Sequence, residues 1–213
     1  MILHICGNLA AGKTTTAEAL HPQLRWPVVP IGRIRNVCQD EWLAWRVVEC
    51  LWRTWDSPDL TPGRSGIWVS TGLNVREHIV LYQPRYLRRV WLTADPAVLR
   101  ERMAQRHRPN NTGYWPYPES WDTLQDDLIG YNTGARPLPW PVNRTFDTGT
   151  MPTATIVRAI TSLIREPWPT VPPTVSETAS VWHRLNADLP IYEEIRAARN
   201  GSQSSPLRKG RGT

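Results

Sequence analysis

Apolar residues fall into short runs separated by longer amphipathic stretches. Five runs have strand length: Leu3–Cys6, Pro27–Ile31, Gly66–Ser70, Arg88–Thr93 and Asn143–Asp147. Helical spacing fills the gaps over Lys13–Leu20, Arg35–Trp55, Val75–Tyr82, Pro96–Arg106 and Pro118–Tyr131, and again over Pro152–Arg165. Strands alternating with helices predict a doubly wound α/β fold with a five-stranded parallel sheet. Asp95-Pro96 supplies an N-cap and a first-turn proline, and Thr150 or Met151 ahead of Pro152 offers the same pairing. Beyond Arg165 the pattern stops. Residues 166–175 are Pro-rich and read as an extended linker. Ser176–Asn186 and Pro190–Arg199 read as a short C-terminal helical appendage over 176–199, and 200–213 as a disordered basic tail. The expected organisation is a main domain over 1–165, with an irregular lid and aromatic loop at about 100–142.

One junction between strand and helix carries a chemical signature. Gly7-Asn8-Leu9-Ala10-Ala11-Gly12-Lys13-Thr14 fits G-x-x-x-x-G-K-[ST] at every fixed position. Strand Leu3–Cys6 precedes it, and the helix beginning Thr15-Thr16-Ala17 follows. Glycines in such a loop let backbone N–H groups wrap phosphate oxygens, and the helix N-terminus adds partial positive charge. Lys13 is then a ligand of the β- and γ-phosphates, Thr14 a ligand of Mg²⁺, and Gly7–Thr15 the nucleotide cradle. Lys13 and Lys209 are the chain's two lysines; the other basic side chains are arginines. A compact ammonium fits the loop where a guanidinium fork does not.

Composition adds limits. The 213 residues carry a net charge of +6 and a pI of about 9.6, which suits an anionic partner or a scattered, arginine-rich surface equally. No apolar run has the length of a membrane span, and no basic segment precedes a signal-type apolar stretch. Cys6, Cys38 and Cys50 lack metal-like spacing and read as reduced thiols, so the expectation is a cytoplasmic protein without a membrane partner. The pattern leaves the oligomeric state open.

Further candidates lie where strands end, because ligands of such sheets bind beyond the strands' carboxyl ends. After the second strand come Arg33 and Arg35, able to clamp phosphate; Arg35 is favoured because it is expected to open the next helix. After the third come Ser70, Thr71, Asn74 and Arg76. Ser70 and Asn74 serve either a ligand or their own turn. Arg100, Arg102, Arg106 and Arg108 follow the fourth, and Arg102 and Arg106 share a helix face, either as lid arginines for a triphosphate or as part of a solvated face. Tyr114, Trp115, Tyr117, Trp121, Tyr131 and Trp140 either stack bases or pack the lid on itself. Asp122, Asp126 and Asp127 have no spacing that demands a metal.

Together these residues resemble the P-loop kinase superfamily, within its nucleoside and nucleotide kinase group, and most closely the kinase domain of phage-type polynucleotide 5′-kinases. The likeness spans about residues 1–165. It rests on Gly7–Thr14, Arg35, the Thr71-Gly72-Leu73-Asn74 turn and the Arg102/Arg106 pair. It implies a P-loop NTPase three-layer sandwich, ATP or GTP with Mg²⁺, and transfer of the γ-phosphoryl into the crevice between the second- and third-strand loops. The implied acceptor is a nucleotide, a nucleoside or a hydroxyl on a polynucleotide, including a hydroxymethylated base in DNA. Two positions depart from the family: Gly32 and Ser70 stand where polynucleotide kinases carry aspartates. Asp40 or Glu41 then becomes the candidate base for a hydroxyl acceptor, whereas a phosphate acceptor needs none. Ile31-Gly32-x-x-Arg35 also resembles the phosphate-holding segment of nucleoside monophosphate kinases. A kinase of a small alcohol and a non-catalytic nucleotide-binding module stay open beside this reading. The appendage either covers a domain edge or docks nucleic acid through Arg208-Lys209-Gly210-Arg211.

Overall fold

A computed structural model describes residues 1–38, 40–72, 86–106, 130–131, 133, 138 and 141–167, apart from the side chains of residues 36, 41, 42 and 106. Its strands are β1 (Ile2–Gly7), β2 (Val28–Pro30), β3 (Gly66–Val69), β4 (Leu87–Thr93) and β5 (Arg144–Asp147). They form one sheet in the order β2-β3-β1-β4-β5, with every pairing parallel. The helices are α1 (Lys13–Leu24), α2 (Ile31–Cys38), α3 (Glu41–Trp55), α4 (Pro96–Arg106) and α5 (Thr153–Arg165).

Central β1 is buried along its whole length, as expected of a parallel strand covered on both faces. Leu3 and Ile5 point to one face, where Ala17 and Leu20 of α1 and Ile156, Ile160 and Ile164 of α5 meet Val90 and Leu92 of β4. Each such aliphatic side chain contributes about 1.5–3 kcal/mol on burial. Ile2 points to the other face, where α3 packs a tryptophan cluster of Trp45, Trp52 and Trp55 against Trp68 of β3. Trp55 stands edge-on to Trp68, with centroids 6.0 Å apart and planes at 89°. Gly66 makes room for it, since a Cβ there would overlap Cζ3, Cε3 and Cη2 of the Trp55 ring.

The structure changes several expected boundaries. The helix expected over Arg35–Trp55 is two helices, because Asp40 adopts an extended conformation and its Oδ1 accepts from Leu43 N–H at 2.7 Å, starting α3 anew. Ile31 accordingly leaves the strand to begin α2, and Arg35 occupies the last turn of that helix instead of opening one. Helix α1 runs beyond Leu20 through Pro22 to Leu24 and closes with Arg25 N–H on His21 O. Ser70 lies just past β3. Asp95 caps α4 as expected, accepting from Ala97 N–H at 2.7 Å. At the start of α5, however, Pro152 itself occupies the N-cap position, with no side-chain cap. The helices expected over Val75–Tyr82 and Pro118–Tyr131, the latter except Gly130 and Tyr131, lie outside the described residues. So do the appendage and tail.

The start of β4 also tethers the chain that leaves α5. Buried Arg88 donates from Nη2 to the carbonyls of Glu166 and Pro167, both at 2.8 Å. Burial pushes its guanidinium below its ordinary pKa, against the pull of Glu166.

Candidate active site

Parallel strands bring all their carboxyl ends to one edge, and the loops leaving β1, β3, β4 and β5 meet there. Gly7 ends β1 with φ 147°, and a Cβ at that point would overlap the Leu92 carbonyl; only glycine lets β1 pass β4 so closely. Its N–H donates to Thr71 O at 3.3 Å, tying the loop to the turn after β3. Ala10 (φ 59°) and Gly12 (φ 79°) are left-handed and curl the loop back over the start of α1. Ala10 and Ala11 are small enough to be buried within the curl.

Helix α1 begins at Gly12 with no side-chain cap and no acidic residue in its first turn. Its terminal N–H groups and partial positive charge therefore face the loop's concavity. Helix α3, by contrast, has its N-terminus covered by Asp40. Lys13 folds back on the loop, donating from Nζ to Asn8 O at 2.6 Å. Thr14 and Thr15 are exposed in the first turn. Asn8 is fully buried and accepts from Leu9 N–H through Oδ1 at 2.6 Å. Among the described residues its Nδ2 meets no acceptor, which leaves a buried donor within the loop. A curled loop with an uncapped helix start, an ammonium and an orphan donor fits a polyphosphate. The exposed Thr14 hydroxyl, beside Lys13, fits the Mg²⁺ that accompanies one.

Arg102 reaches the same loop from α4. Nη1 donates to Thr148 Oγ1 at 3.0 Å and to Ala10 O at 3.4 Å, and Nη2 to Thr148 O at 2.9 Å. Thr148 is held in turn: its N–H and its hydroxyl both donate to Thr93 O, at 2.8 and 3.0 Å. Arg102 thus joins the loops after β1 and β5 through one planar fork. The sequence reading included Arg102 and missed Thr148, whose signal was the Asp147-Thr148-Gly149 turn after the last strand.

After β3, Ser70 Oγ accepts from Gly72 N–H at 3.0 Å and lies 2.7 Å from His4 Nε2. His4 and its other neighbour, Arg89, were also missed; a histidine and an arginine inside otherwise apolar strands were the available signal. Arg33, exposed, and Arg35, half-buried, belong to α2 after edge strand β2. Asp40 is exposed and serves as the N-cap of α3. The backbone of Arg106 ends α4. Asn74, Arg76 and Arg108 lie outside the described residues, as do Tyr114, Trp115, Tyr117, Trp121, Asp122, Asp126, Asp127 and Trp140. Among the described residues, no three His, Cys, Asp or Glu side chains cluster as metal ligands, and no helix is long and apolar enough to cross a membrane. The three cysteines are unbridged.

No protein-family model matches the chain, and no curated protein does. Solved structures match its fold. A shikimate kinase from Bacteroides thetaiotaomicron is 16% identical with a TM-score of 0.51, covering 78% of this chain and 99% of its own. A sugar kinase from Janibacter sp. HTCC2649 is 16% identical with a TM-score of 0.51, covering 76% and 93%. Shikimate kinase from Acinetobacter baumannii in complex with shikimate is 16% identical with a TM-score of 0.50, covering 76% and 92%. The chain is therefore an α/β protein with the P-loop NTPase sandwich found in these kinases, built on a five-stranded all-parallel sheet.

Proposed function

We propose that the chain is a phosphotransferase that takes the γ-phosphoryl of ATP or GTP at Gly7–Thr15 and passes it to an acceptor seated beyond β2 and β3. The observation that carries this reading is the curled Gly7–Thr14 loop over an uncapped α1, with Lys13 in it and Arg102 behind it. Backbone N–H groups of the loop bind and orient the phosphates. Lys13 exchanges Asn8 O for phosphate oxygens, where its charge opposes the negative charge that spreads over the γ-phosphoryl during transfer. Arg102 fixes the loop's shape through Ala10 O and Thr148. Thr14 holds Mg²⁺, which when bound neutralises phosphate charge.

On the acceptor side, Arg33, Arg35, Ser70, Thr71, Asn74 and Arg76 are the proposed contacts. Arg106 is a second lid arginine, and Asp40 is the carboxylate for a hydroxyl acceptor that needs one. The net charge of +6 favours an acceptor derived from nucleic acid, in the manner of the polynucleotide kinases. The fold shared with a shikimate kinase and a sugar kinase supports a small alcohol equally.

Transfer from γ-labelled ATP and GTP to a panel decides between them: shikimate, gluconate, nucleosides, nucleoside monophosphates, 5′-hydroxyl oligonucleotides and DNA containing hydroxymethylated bases. Lys13→Met is expected to lower transfer by at least about 100-fold with the fold intact. Retained turnover in that variant removes the loop from the reaction. Tight nucleotide binding with no transfer to any acceptor identifies a nucleotide-binding module in place of a kinase.

A further inference from the structure

Asn8, the second residue of the Gly7–Thr14 loop, breaks the rule that buried polar groups are paired. The residue is 0% exposed. Its Oδ1 accepts from Leu9 N–H at 2.6 Å. A backbone N–H can only donate, so the orientation of the amide is fixed and Nδ2 is its other end. Among the described residues Nδ2 meets no acceptor. A buried donor left dry forfeits its bond to water and gains nothing in return. The indole N–H groups of Trp52 and Trp68 are also unpaired, but each belongs to a large ring whose burial offsets the loss. An asparagine brings no such apolar surface.

The side chain also changes what the loop offers. It takes Leu9 N–H out of the set of backbone donors that could face a phosphate, and supplies Nδ2 in its place. Its neighbours say which phosphate. Lys13 Nζ rests on Asn8 O at 2.6 Å, and Gly7 N–H, one residue earlier, donates to Thr71 O at 3.3 Å. Asn8 therefore lies between the loop lysine and the turn after β3, on the acceptor side of the proposed site. The part of a nucleotide that belongs between those two is its terminal phosphate.

We infer that Asn8 is a side-chain ligand of the γ-phosphate, through Nδ2. In the empty loop Asn8 O holds Lys13. When Lys13 moves to the phosphates, Nδ2 takes a γ-phosphate oxygen, so one residue releases the lysine and receives the group to be transferred. Backbone N–H groups of the loop serve any polyphosphate, whereas Nδ2 distinguishes a triphosphate from a diphosphate. The inference rests on the proposed binding of ATP or GTP at this loop.

The test uses the full chain with Mg²⁺, ADP and a non-hydrolysable ATP analogue. In ¹⁵N-labelled protein the Nδ2 signals are assigned by their loss in Asn8→Ala. With the analogue bound, a scalar coupling between Asn8 ¹⁵Nδ2 and the γ ³¹P is expected, which only a hydrogen bond to that phosphate transmits. Asn8→Ala is expected to lose about 10–100-fold in affinity for the analogue, the worth of one hydrogen bond to a charged group, and to stay within about three-fold of wild type for ADP. Its unfolding midpoint without nucleotide should match that of wild type, because the unpaired donor leaves together with the acceptor for Leu9 N–H. A purely structural asparagine would instead weaken both nucleotides alike and lower that midpoint. Equal loss for ADP and the analogue overturns the inference, as does absence of the Nδ2 coupling where backbone N–H groups of the loop show theirs. Where Asn8→Ala does not fold, the coupling in the wild-type chain, assigned through Asn8→Asp, decides. A wild-type chain that binds both nucleotides equally well, with no coupling at Nδ2, loses this inference alone. One that binds neither refutes the nucleotide-donor reading and the inference with it.

Discussion

Replacing Gly66 with alanine tests whether the tryptophan layer under β3 is as tightly packed as the geometry indicates. The added methyl would fall on three ring atoms of Trp55. The ring has little room to turn: it is 4% exposed and stands edge-on against Trp68. The strand has little room either, because Gly66 N–H donates to Met1 O at 3.0 Å and Gly66 pairs in register with Ile2. Overpacking a rigid core by one methyl costs about 1–3 kcal/mol, and three overlaps with both partners held put Gly66→Ala near the upper end. At roughly 2–4 °C per kcal/mol for a chain of this size, the midpoint of thermal unfolding should fall by about 5–10 °C. Trp55→Leu removes all three ring atoms and should cost about 2–4 kcal/mol through lost burial. In that background the alanine methyl enters vacated space, and its cost should drop below about 0.5 kcal/mol. Urea unfolding of the four proteins gives the coupling, expected near 2 kcal/mol and favourable to the double variant. Additivity within about 0.5 kcal/mol would refute the packing argument.

Two further outcomes follow from other parts of the structure. Arg102→Gln should weaken binding of fluorescent ATP by about 10–100-fold, because charge-assisted bonds to Thr148 and Ala10 that hold the phosphate loop are lost; unchanged affinity in a titration would show that the loop keeps its shape without the clamp. In the chain beginning at Met1, the α-amino group lies near Trp55 O, Arg64 O and Ser65 Oγ, and desolvation lowers its pKa from 8.0 to about 6 against the charges of Asp56 and Asp59. Between these values the unfolded chain binds more protons than the folded one, so this group's contribution to stability is full above pH 8 and is lost as pH falls to about 6. The urea midpoint of that chain should rise over this window relative to the same chain with its amino terminus acetylated; parallel curves would refute the assignment.

Much of the frame was legible in local spacing. The positions of β1, β3 and β4 came from short apolar runs, because a parallel strand covered on both faces has little polar alternation to blur it. The Gly7–Thr14 loop was legible because its fixed glycines answer a backbone requirement: Gly7 passes Leu92 where no Cβ fits, and Gly12 is left-handed at the start of α1. The division between α2 and α3 was not legible. Residues 35–55 keep a helical pattern throughout; among the described residues, the extended conformation of Asp40, with its bond to Leu43 N–H, interrupts it.

What the sequence determined by itself was therefore a set of local demands: which segments extend, which coil, and where the backbone must curl through Gly7 and Gly12. The tertiary structure decided which distant side chains share the site. Arg102 meets Ala10 across 92 residues of chain, Arg89 meets His4 across 85, and His4 meets Ser70 across 66. Those meetings depend on β1 lying between β3 and β4 and on registers such as His4 opposite Arg89. Register and strand order are set by how whole faces bury against α1, α3 and α5. No window along the chain contains that information, because a strand's neighbours are chosen by burial of the assembled sheet and not by its own residues.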